Sequence, residues 1–413
     1  MKGHVSRKEF LAGAGGIAVG AVAGGLVVGT ARAHAAGADA PDLEFIPFAG
    51  VHQAGITADP QPARGLMAAF TVVAADRAAL QEMFRELTEE IRGLMAGTPP
   101  VQRDSAYPPT DSGILGPTPA ADDLSVVVGV GASLFDDRYG LAAKRPRELV
   151  TMPFIANDRL DPDRSHGDLL LTIQSQNTDH VIFALRQLMR RTRRDLTLKW
   201  VIDGYNRRRD PDDTTTGSPR NLLGFVDGTA NLTTDAEPMD RYVWTTGGAD
   251  GEPAWATGGS YQVVRIIRMI VEFWDRTPLS EQENLIGRRK IDGAPLDGTH
   301  ETDIPDYAAD PKGKVTPLDA HIRLANPRTA ATRDNLILRR GFSYTRGYDG
   351  AGQLDQGLAF VSYQKSIATG FMAVQSRLNG EPLEEYIRPE GGGFFFALPG
   401  VPAENGYLGE GLF

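Results

Sequence analysis

The sequence predicts an α+β fold, because one order of elements, strand-helix-strand-strand-helix-strand, occurs in the first half of the chain and again in the second. A unit of this kind covers one face of its sheet with helices and leaves the other face bare. Packing two units sheet to sheet buries both bare faces, which predicts a tandem pair of ferredoxin-like (βαββαβ) domains. The 413 residues are enough for two such domains.

The first domain is predicted over 37–215. After an apolar strand, apolar residues recur at the spacing of a helix with one buried face. Asp76 is suited to cap that helix, and Gly97 is suited to end it. In chain order, the predicted elements are a strand at 65–73, a helix at 76–97, strands at 124–130 and 168–174, a helix at 177–191 and a strand at 196–203.

The second domain is predicted over 216–413 and repeats this order. Its predicted elements are a strand at 261–274, a helix at 280–288, strands at 341–347 and 358–363, a helix at 367–378 and a strand at 394–398. Two long segments, at 206–260 and 291–338, interrupt the pattern. Segments of this length in a compact domain usually carry function or are disordered, so we expect the chemistry to lie there.

The composition excludes several classes of function. The chain has no cysteine, which rules out a disulfide framework, a thiolate metal ligand, iron–sulfur ligation and a cysteine nucleophile. It carries 43 basic and 53 acidic residues, a net charge of −10, which argues against nucleic acid as a partner. The apolar content of 41% and the charged content of 23% are those of an ordinary globular protein.

Residues 1–36 are predicted to be an export signal. A polar start with Arg7 and Lys8 precedes a glycine- and alanine-rich apolar stretch, and small-x-small cleavage patterns end at Ala33 and Ala35. The start resembles a twin-arginine signal in which Lys8 replaces the second arginine. A retained membrane anchor is the alternative. The many glycines and the cleavage patterns favour removal, which leaves no stable membrane span and predicts a periplasmic or extracellular protein.

The first long segment contains residues 224–231, which read Gly-Phe-Val-Asp-Gly-Thr-Ala-Asn. Glycines on both sides of Asp227 allow the backbone to turn sharply or to approach a ligand closely. An Asp-Gly turn with a solvated carboxylate is the ordinary alternative for such a stretch. The stretch is not a phosphate-binding loop, and it lacks the glycine spacing of dinucleotide-binding proteins.

The second long segment contains residues 321–328, which read His-Ile-Arg-Leu-Ala-Asn-Pro-Arg. A lone histidine such as His321 is more often structural than a ligand. In a chain without cysteine, however, histidine is the leading candidate to ligate a haem iron, ahead of methionine or tyrosine. Arg328 and Arg340, taken singly, cannot be told from surface charges.

Together these segments resemble the dye-decolorising haem peroxidases. Residues 224–229 are similar to that family's Gly-x-x-Asp-Gly signature, 321–328 to its proximal-histidine segment and 338–344 to its distal-arginine segment. Residues 353–358 and 391–400 resemble its exported branch, which includes the deferrochelatase/peroxidase of ferrous-iron uptake systems. The resemblance covers most of the mature chain. The fold it implies, a pair of ferredoxin-like domains of the dimeric α/β-barrel type, agrees with the repeat described above.

The resemblance implies one haem b per chain, with His321 as the proximal iron ligand and with Asp227 and Arg339 on the opposite, distal face. The residues that it places against the haem are Gly228, Thr229, Ala230, Asn326, Pro327, Arg328 and Arg339. Guanidinium groups there suit the haem propionates, because they form paired hydrogen bonds to carboxylates. Gly341 stands where some members of the family carry an asparagine.

The implied reaction begins with hydrogen peroxide, which must lose a proton from one oxygen and gain one on the other. We expect the carboxylate of Asp227 to move that proton and the cationic Arg339 to stabilise charge as the O–O bond breaks. An aspartate stays ionised down to about pH 3.9, so the activity is expected to favour acidic pH. The ring N–H of His321 needs an acceptor, for which Asp355 is predicted.

Three functions are compatible with these residues. The first is a peroxidase that takes single electrons from dyes, phenols or other organic reductants. The second is a haem-binding protein of iron acquisition, which releases iron from porphyrin or oxidises ferrous iron for a permease partner. The third, a non-catalytic binding module, is disfavoured by the combination of Asp227, His321 and Arg339. The oligomeric state stays open, a homo-oligomer included. Candidates for an electron relay, with core packing as the alternative for each, are Trp200, Trp244, Trp255 and Trp274.

Overall fold

A computed structural model describes residues 45–413, apart from residues 102, 208–218 and 404. The predicted export signal at 1–36 and the predicted domain boundary at 215–216 lie outside the described residues. Within the described part of the chain, no helix is long and apolar enough to cross a membrane.

The first half contains all the predicted elements, with their ends within two residues of the predicted positions. Its strands are β1 (Arg64–Val72), β2 (Ser125–Gly131), β3 (Leu169–Ser175) and β4 (Leu196–Tyr205), and its helices are α1 (Arg77–Met95) and α2 (Thr178–Arg191). The side chain of Asp76 accepts a hydrogen bond from the N–H of Ala79 at 2.8 Å, so the predicted cap of α1 is confirmed.

The second half follows the predicted order with additional short elements. Its strands are β5 (Ser260–Met269), β6 (Leu338–Arg339), β7 (Phe342–Tyr348), β8 (Leu354–Gln364) and β9 (Ile387–Ala397). Its helices are α3 (Ala236–Tyr242), α4 (Val271–Trp274), α5 (Leu279–Ile286), α6 (His321–Ala325) and α7 (Ala373–Leu378). A π-helix at Ala368–Met372 precedes α7 in the segment predicted as one helix.

Three predicted strands of this half have different bounds in the structure, and the one predicted at 358–363 spans Leu354–Gln364. The strand predicted at 261–274 ends at Met269, because the chain turns into α4 and buries Trp274 completely. The last strand begins at Ile387 rather than at 394, and its first part contains the glycines at 391–393. A Cβ at Gly392 would lie 2.0 Å from the carbonyl oxygen of Val264 on β5. Close packing of backbones therefore explains glycines that otherwise indicate a loop.

The strands form one closed antiparallel ring. Around the ring the order is β5-β9-β2-β3-β1-β4-β7-β8, and β8 pairs with β5 to close it, while the short β6 pairs with β8. The halves join where β2 pairs with β9 and where Tyr205 of β4 pairs with Ser343 of β7. The α+β class and the barrel are confirmed. The halves share a single ring of strands, however, instead of facing each other as two separate sheets.

Apolar side chains pack on both faces of the ring. Residues from both halves form one cluster on its inner face, for example Met67 of β1 and Phe395 of β9. On the outer face of the first half, α1 packs through the apolar residues whose spacing predicted it, namely Leu80, Met83, Phe84, Leu87 and Ile91. The helix α2 packs beside α1. Of the four tryptophans, Trp200, Trp244 and Trp274 are at most 5% exposed and belong to these or a neighbouring core cluster.

Candidate active site

Asp227 lies on a loop that backbone hydrogen bonds hold in shape. The N–H of Asn221 donates to the carbonyl oxygen of Phe225 at 2.9 Å, and the N–H of Gly224 donates back to Asn221 at 2.9 Å. Gly224 has a φ of +85°, a conformation that favours glycine. The N–H of Asp227 donates to Pro219 at 3.1 Å. The sharp turn predicted from the glycines is therefore present, and it fixes the backbone at Asp227.

The carboxylate of Asp227 forms an ion pair with Arg339. Nη1 of Arg339 lies 2.8 Å from Oδ1 of Asp227, and about a third of each side chain is exposed. Burial acts to raise the pKa of Asp227, but the charge and hydrogen bond of Arg339 and a hydrogen bond from Asn221 together lower that pKa below its usual range. Asp227 is therefore an anion across the neutral and mildly acidic range.

Arg339 lies on β6, opposite Ser362 of β8. Its backbone also contacts the loop that carries Asp227. The N–H of Arg339 donates to Oδ1 of Asn231 at 2.8 Å, and Nδ2 of Asn231 donates to the carbonyl oxygen of Arg339 at 2.8 Å. One loop thus contacts both the side chain and the main chain of Arg339.

His321 begins α6 and bonds to a buried carboxylate. Its Nδ1 lies 2.8 Å from Oε2 and 3.1 Å from Oε1 of Glu381, whose side chain is 3% exposed. A carboxylate only accepts hydrogen bonds, so Nδ1 carries a proton, and in the neutral imidazole Nε2 keeps its lone pair. Burial acts to lower the pKa of His321, but the charge and hydrogen bond of Glu381 outweigh it, and the pKa lies above its usual range.

The predicted acceptor for His321, Asp355, is wrong. Asp355 lies on β8, and its Oδ2 is 3.5 Å from Nη2 of Arg164. Glu381, which follows α7 and is separated from His321 by sixty residues, takes the role instead. No local pattern marks Glu381, because the packing of α6 against α7 is what brings it to the histidine.

Two arginines hold α6 in place. Arg377 of α7 donates from Nε to the carbonyl oxygen of Leu324 and from Nη2 to that of Ala325, each at 2.9 Å. These carbonyls belong to the last turn of α6, where a cation satisfies free acceptors and complements the helix dipole. Arg323 donates to the carbonyl oxygens of Thr316 and Asp310, each at 2.8 Å, which ties the preceding segment to the helix.

Asp227, Arg339 and His321 lie close enough together for their charges to act on one another. The charge of Arg339 and that of Asp227 both act on the pKa of His321, and the charge of His321 acts on the pKa of Asp227. About a third of each of the three side chains is accessible. At Gly228, with a φ of +99°, a Cβ would meet no atom within 4 Å.

The residues around Asp227, Arg339 and His321 fit a haem on several grounds. Nε2 of His321 has no hydrogen-bond partner among the described residues and is of the type that ligates haem iron. The space in front of Gly228 is free. Cationic side chains that suit propionates meet nearby, since the charges of Arg328 and Arg339 both act on Arg288.

Arg288 is a residue of this site that the sequence did not single out. Its side chain is 7% exposed, and it donates to the carbonyl oxygens of Gly293 and Glu301. Burial lowers its pKa, and repulsion from Arg328 and Arg339 adds to the effect. It stands at the start of an Arg-Arg-Lys run, which reads as an exposed basic patch, so the sequence carries no signal of its burial.

The other residues predicted to contact the haem lie on the two long segments, at 229–230 and 326–328. Thr229 donates from Oγ1 to Oε1 of Glu301 at 2.9 Å, which joins the loop of Asp227 to the second long segment. Oδ1 of Asn326 accepts the N–H of Arg328 at 3.2 Å, where Arg328 has a φ of +56° and is exposed. Ala230 follows Thr229 on the loop, and Pro327 lies between Asn326 and Arg328 just after α6.

Family models match most of the described chain. The model of the N-terminal part of the Dyp-type peroxidases matches residues 53–206, and that of the C-terminal part matches residues 218–402. The chain belongs to the Dyp-type peroxidase family. It is therefore an enzyme of the haem-dependent peroxidases.

Relatives within the Dyp-type peroxidase family include proteins named deferrochelatase. That of Yersinia pestis bv. Antiqua (strain Nepal516) is 48% identical, over 98% of this chain and 94% of the relative. That of Escherichia coli O6:K15:H31 (strain 536 / UPEC) is 49% identical, over 98% and 96%. Among solved structures, the DyP-type peroxidase from Cellulomonas bogoriensis is 34% identical with a TM-score of 0.78, over 89% of this chain and 98% of that one. Ferric DtpA from Streptomyces lividans is 36% identical with a TM-score of 0.78, over 90% and 98%.

We predict that Glu381, and not Asp355, controls the titration of His321. In the haem-free protein, the NMR titration midpoint of His321 should lie above about 6.5. In Glu381→Gln it should fall below that value, because burial then acts unopposed. The raised pKa stabilises the fold below pH 6.5, and this contribution is lost as pH rises through the folded pKa. Asp355→Asn is the control and should leave the midpoint unchanged; a shift in this variant instead would contradict the assignment.

Proposed function

We propose that the protein is a haem b peroxidase, with one haem per chain, that uses hydrogen peroxide to oxidise dyes, phenols or other bulky reductants in one-electron steps. The observation that carries the proposal is the proximity of the Asp227–Arg339 ion pair to His321, whose Nε2 has no hydrogen-bond partner among the described residues. Membership of the Dyp-type peroxidase family supports it.

In this proposal the haem lies between the loop of Asp227 and α6. His321 would ligate the iron through Nε2, with its proton on Nδ1 held by Glu381, which strengthens the imidazole as a donor. Contacts along the faces and edge of the haem would come from Gly228, Thr229, Ala230, Asn326, Pro327 and Arg328, together with Arg339. When bound, a haem would supply a redox-active iron that takes up the two oxidising equivalents of peroxide.

The distal pair divides the work of the peroxide step. Asp227 is ionised, so its carboxylate can take the proton from one oxygen of peroxide and return it to the other, departing oxygen. Arg339 stays cationic, and its guanidinium can stabilise the charge that forms as the O–O bond breaks. Arg339 also keeps the pKa of Asp227 low, which makes the carboxylate a base that works in acid.

We also propose the domain organisation and the cellular location. The two halves would be ferredoxin-like domains at 37–215 and 216–413, supported by the strand orders β2-β3-β1-β4 and β7-β8-β5-β9, in which corresponding strands take corresponding places. Residues 1–36 would be a twin-arginine-like signal that directs export to the periplasm or the exterior.

We propose as a second function one that would use the same residues, Asp227, His321 and Arg339. The relatives at 48–49% identity are named deferrochelatases, which favours release of iron from haem, or oxidation of ferrous iron for an uptake permease, as the role in the cell. Incubation with haem under reducing conditions distinguishes this function. Intact porphyrin without iron, detected by its fluorescence, would support the release of iron. Haem recovered unchanged would leave the peroxidase function as the one that the experiment supports.

We predict that substitution of His321 impairs haem ligation, whereas substitution of Asp227 or Arg339 impairs the reaction with peroxide. His321→Ala should lose the iron ligand, so its Soret band on haem titration should weaken and shift. Asp227→Ala and Arg339→Ala should bind haem as the wild type does, but react with peroxide about 100-fold more slowly or worse. Stopped-flow spectra measure both properties. Haem binding by His321→Ala with an unchanged spectrum would refute the ligand assignment.

We predict that peroxide reactivity persists in acid. The rate constant for peroxide should stay high as pH falls to about 4 and should drop only below the ordinary pKa of an aspartate, about 3.9, because Arg339 lowers the pKa of Asp227. Asp227→Asn is the control and should lack this acid limb. A decline centred near pH 6.5 in the wild type would point to a histidine base and would exclude Asp227.

A further inference from the structure

The backbone of Arg339 lies at an open edge. β6 consists of Leu338 and Arg339 and pairs with β8 on one side only. The N–H of Arg340 donates to the carbonyl oxygen of Val361 of β8 at 2.8 Å. Backbone groups of neighbouring residues in an antiparallel strand point to opposite sides, so the N–H and C=O of Arg339 face away from β8. A strand of two residues with one partner is weakly held on its own.

The carboxamide of Asn231 satisfies both of these edge groups. Its Oδ1 accepts the N–H of Arg339 and its Nδ2 donates to the carbonyl oxygen of Arg339, each at 2.8 Å. A planar amide that donates and accepts side by side copies the edge of a neighbouring strand. Asn231 stands four residues after Asp227, and its own N–H donates to Gly228 at 3.0 Å. The amide therefore joins the Asp227 loop to the main chain beneath Arg339.

We propose that Asn231 is a positioning residue that holds the guanidinium of Arg339 against the carboxylate of Asp227. The side-chain ion pair is about one-third exposed, and a long arginine loses much rotamer freedom when it keeps one geometry. The pair alone therefore holds Arg339 weakly. With the main chain of Arg339 fixed to the same loop, only side-chain torsions separate the guanidinium from the carboxylate. The proposal rests on the peroxidase function proposed above.

The neighbouring contacts of the strand supply a matched control. Nδ2 of Asn206 donates to the carbonyl oxygen of Gly341 at 3.0 Å, and Nε2 of Gln61 donates to that of Arg340 at 3.1 Å. These amides tie the same stretch of backbone to the first half of the protein. Within the described part of the chain, neither side chain forms a hydrogen bond with residues 224–231, so its loss should loosen the strand without freeing it from the Asp227 loop.

Asn231→Ala removes both hydrogen bonds to Arg339. Haem-loaded Asn231→Ala should keep the Soret band of the wild type but react with peroxide about 10- to 100-fold more slowly, the size of effect expected when a catalytic group is misplaced by about 1 Å. Asn206→Ala, which removes one amide of the same kind two residues along, should stay within about threefold of the wild type, because nothing that it changes bears on the distal pair.

Asn231→Asp provides a pH signature that a merely structural role would not produce. The ionised carboxylate still accepts the N–H of Arg339 but confronts its carbonyl oxygen without a donor, whereas the protonated carboxyl restores the donor and acceptor. Repulsion by that carbonyl favours the protonated form. Within 224–231 and β6 the other charged groups are Asp227 and Arg339. The ratio of the variant's peroxide rate to the wild-type rate should therefore rise as pH falls from 7 to 4, and Asn231→Ala should show no such rise.

Hydrogen exchange of the haem-free protein tests the clamp without any activity. The amide of Arg339 should exchange about tenfold faster or more in Asn231→Ala than in the wild type, and Asn206→Ala should leave it unchanged. Equal exchange and equal peroxide rates in Asn231→Ala and the wild type would overturn the proposal, as would equal losses in Asn231→Ala and Asn206→Ala. If the wild type bound no haem, the proposed function would fail, while the exchange of Arg339 would still decide whether Asn231 holds it.

Discussion

Closure of the antiparallel sheet into a ring is the constraint on which the rest of the structure depends. β5 pairs along its length with both β8 and β9, and two seams, β2 with β9 and β4 with β7, join the halves. Each strand of a closed ring has a neighbouring strand on both sides, so longer segments leave from the ends of the ring. The segment that carries Asp227 joins β4 of the first half to β5 of the second, and the segments that carry His321 and Glu381 connect strands of the second half. The ring therefore fixes where each of them begins and ends.

The site that results sets opposite charge requirements side by side. Arg339 keeps the carboxylate of Asp227 ionised, and Glu381 keeps a proton on Nδ1 of His321. Both pairs act against the cost of burial, which alone would neutralise each group. The outcome is a carboxylate anion on one segment and an imidazole with its proton on Nδ1 on another, close enough for their charges to act on each other. In the proposed function, the anion serves the peroxide reaction and the imidazole ligates the haem iron.

The sequence predicts the parts that depend on local pattern and misses those that depend on tertiary packing. The helix at Arg77–Met95 follows from apolar spacing and a capping aspartate, and the turn at Asp227 follows from the glycines on both sides of it. Glu381 could not be predicted, because only the packing of α6 against α7 brings it to His321. The burial of Arg288 could not be predicted either, because it depends on how the fold packs around this side chain.

The most direct test of the whole interpretation is a crystal structure of the protein loaded with haem. We expect the iron to be ligated by Nε2 of His321, with Nδ1 still bonded to Glu381, and the side chains of Asp227 and Arg339 to lie over the opposite face of the porphyrin. Ligation of the iron by any other side chain, or a position of Asp227 and Arg339 on the same face as His321, would contradict it.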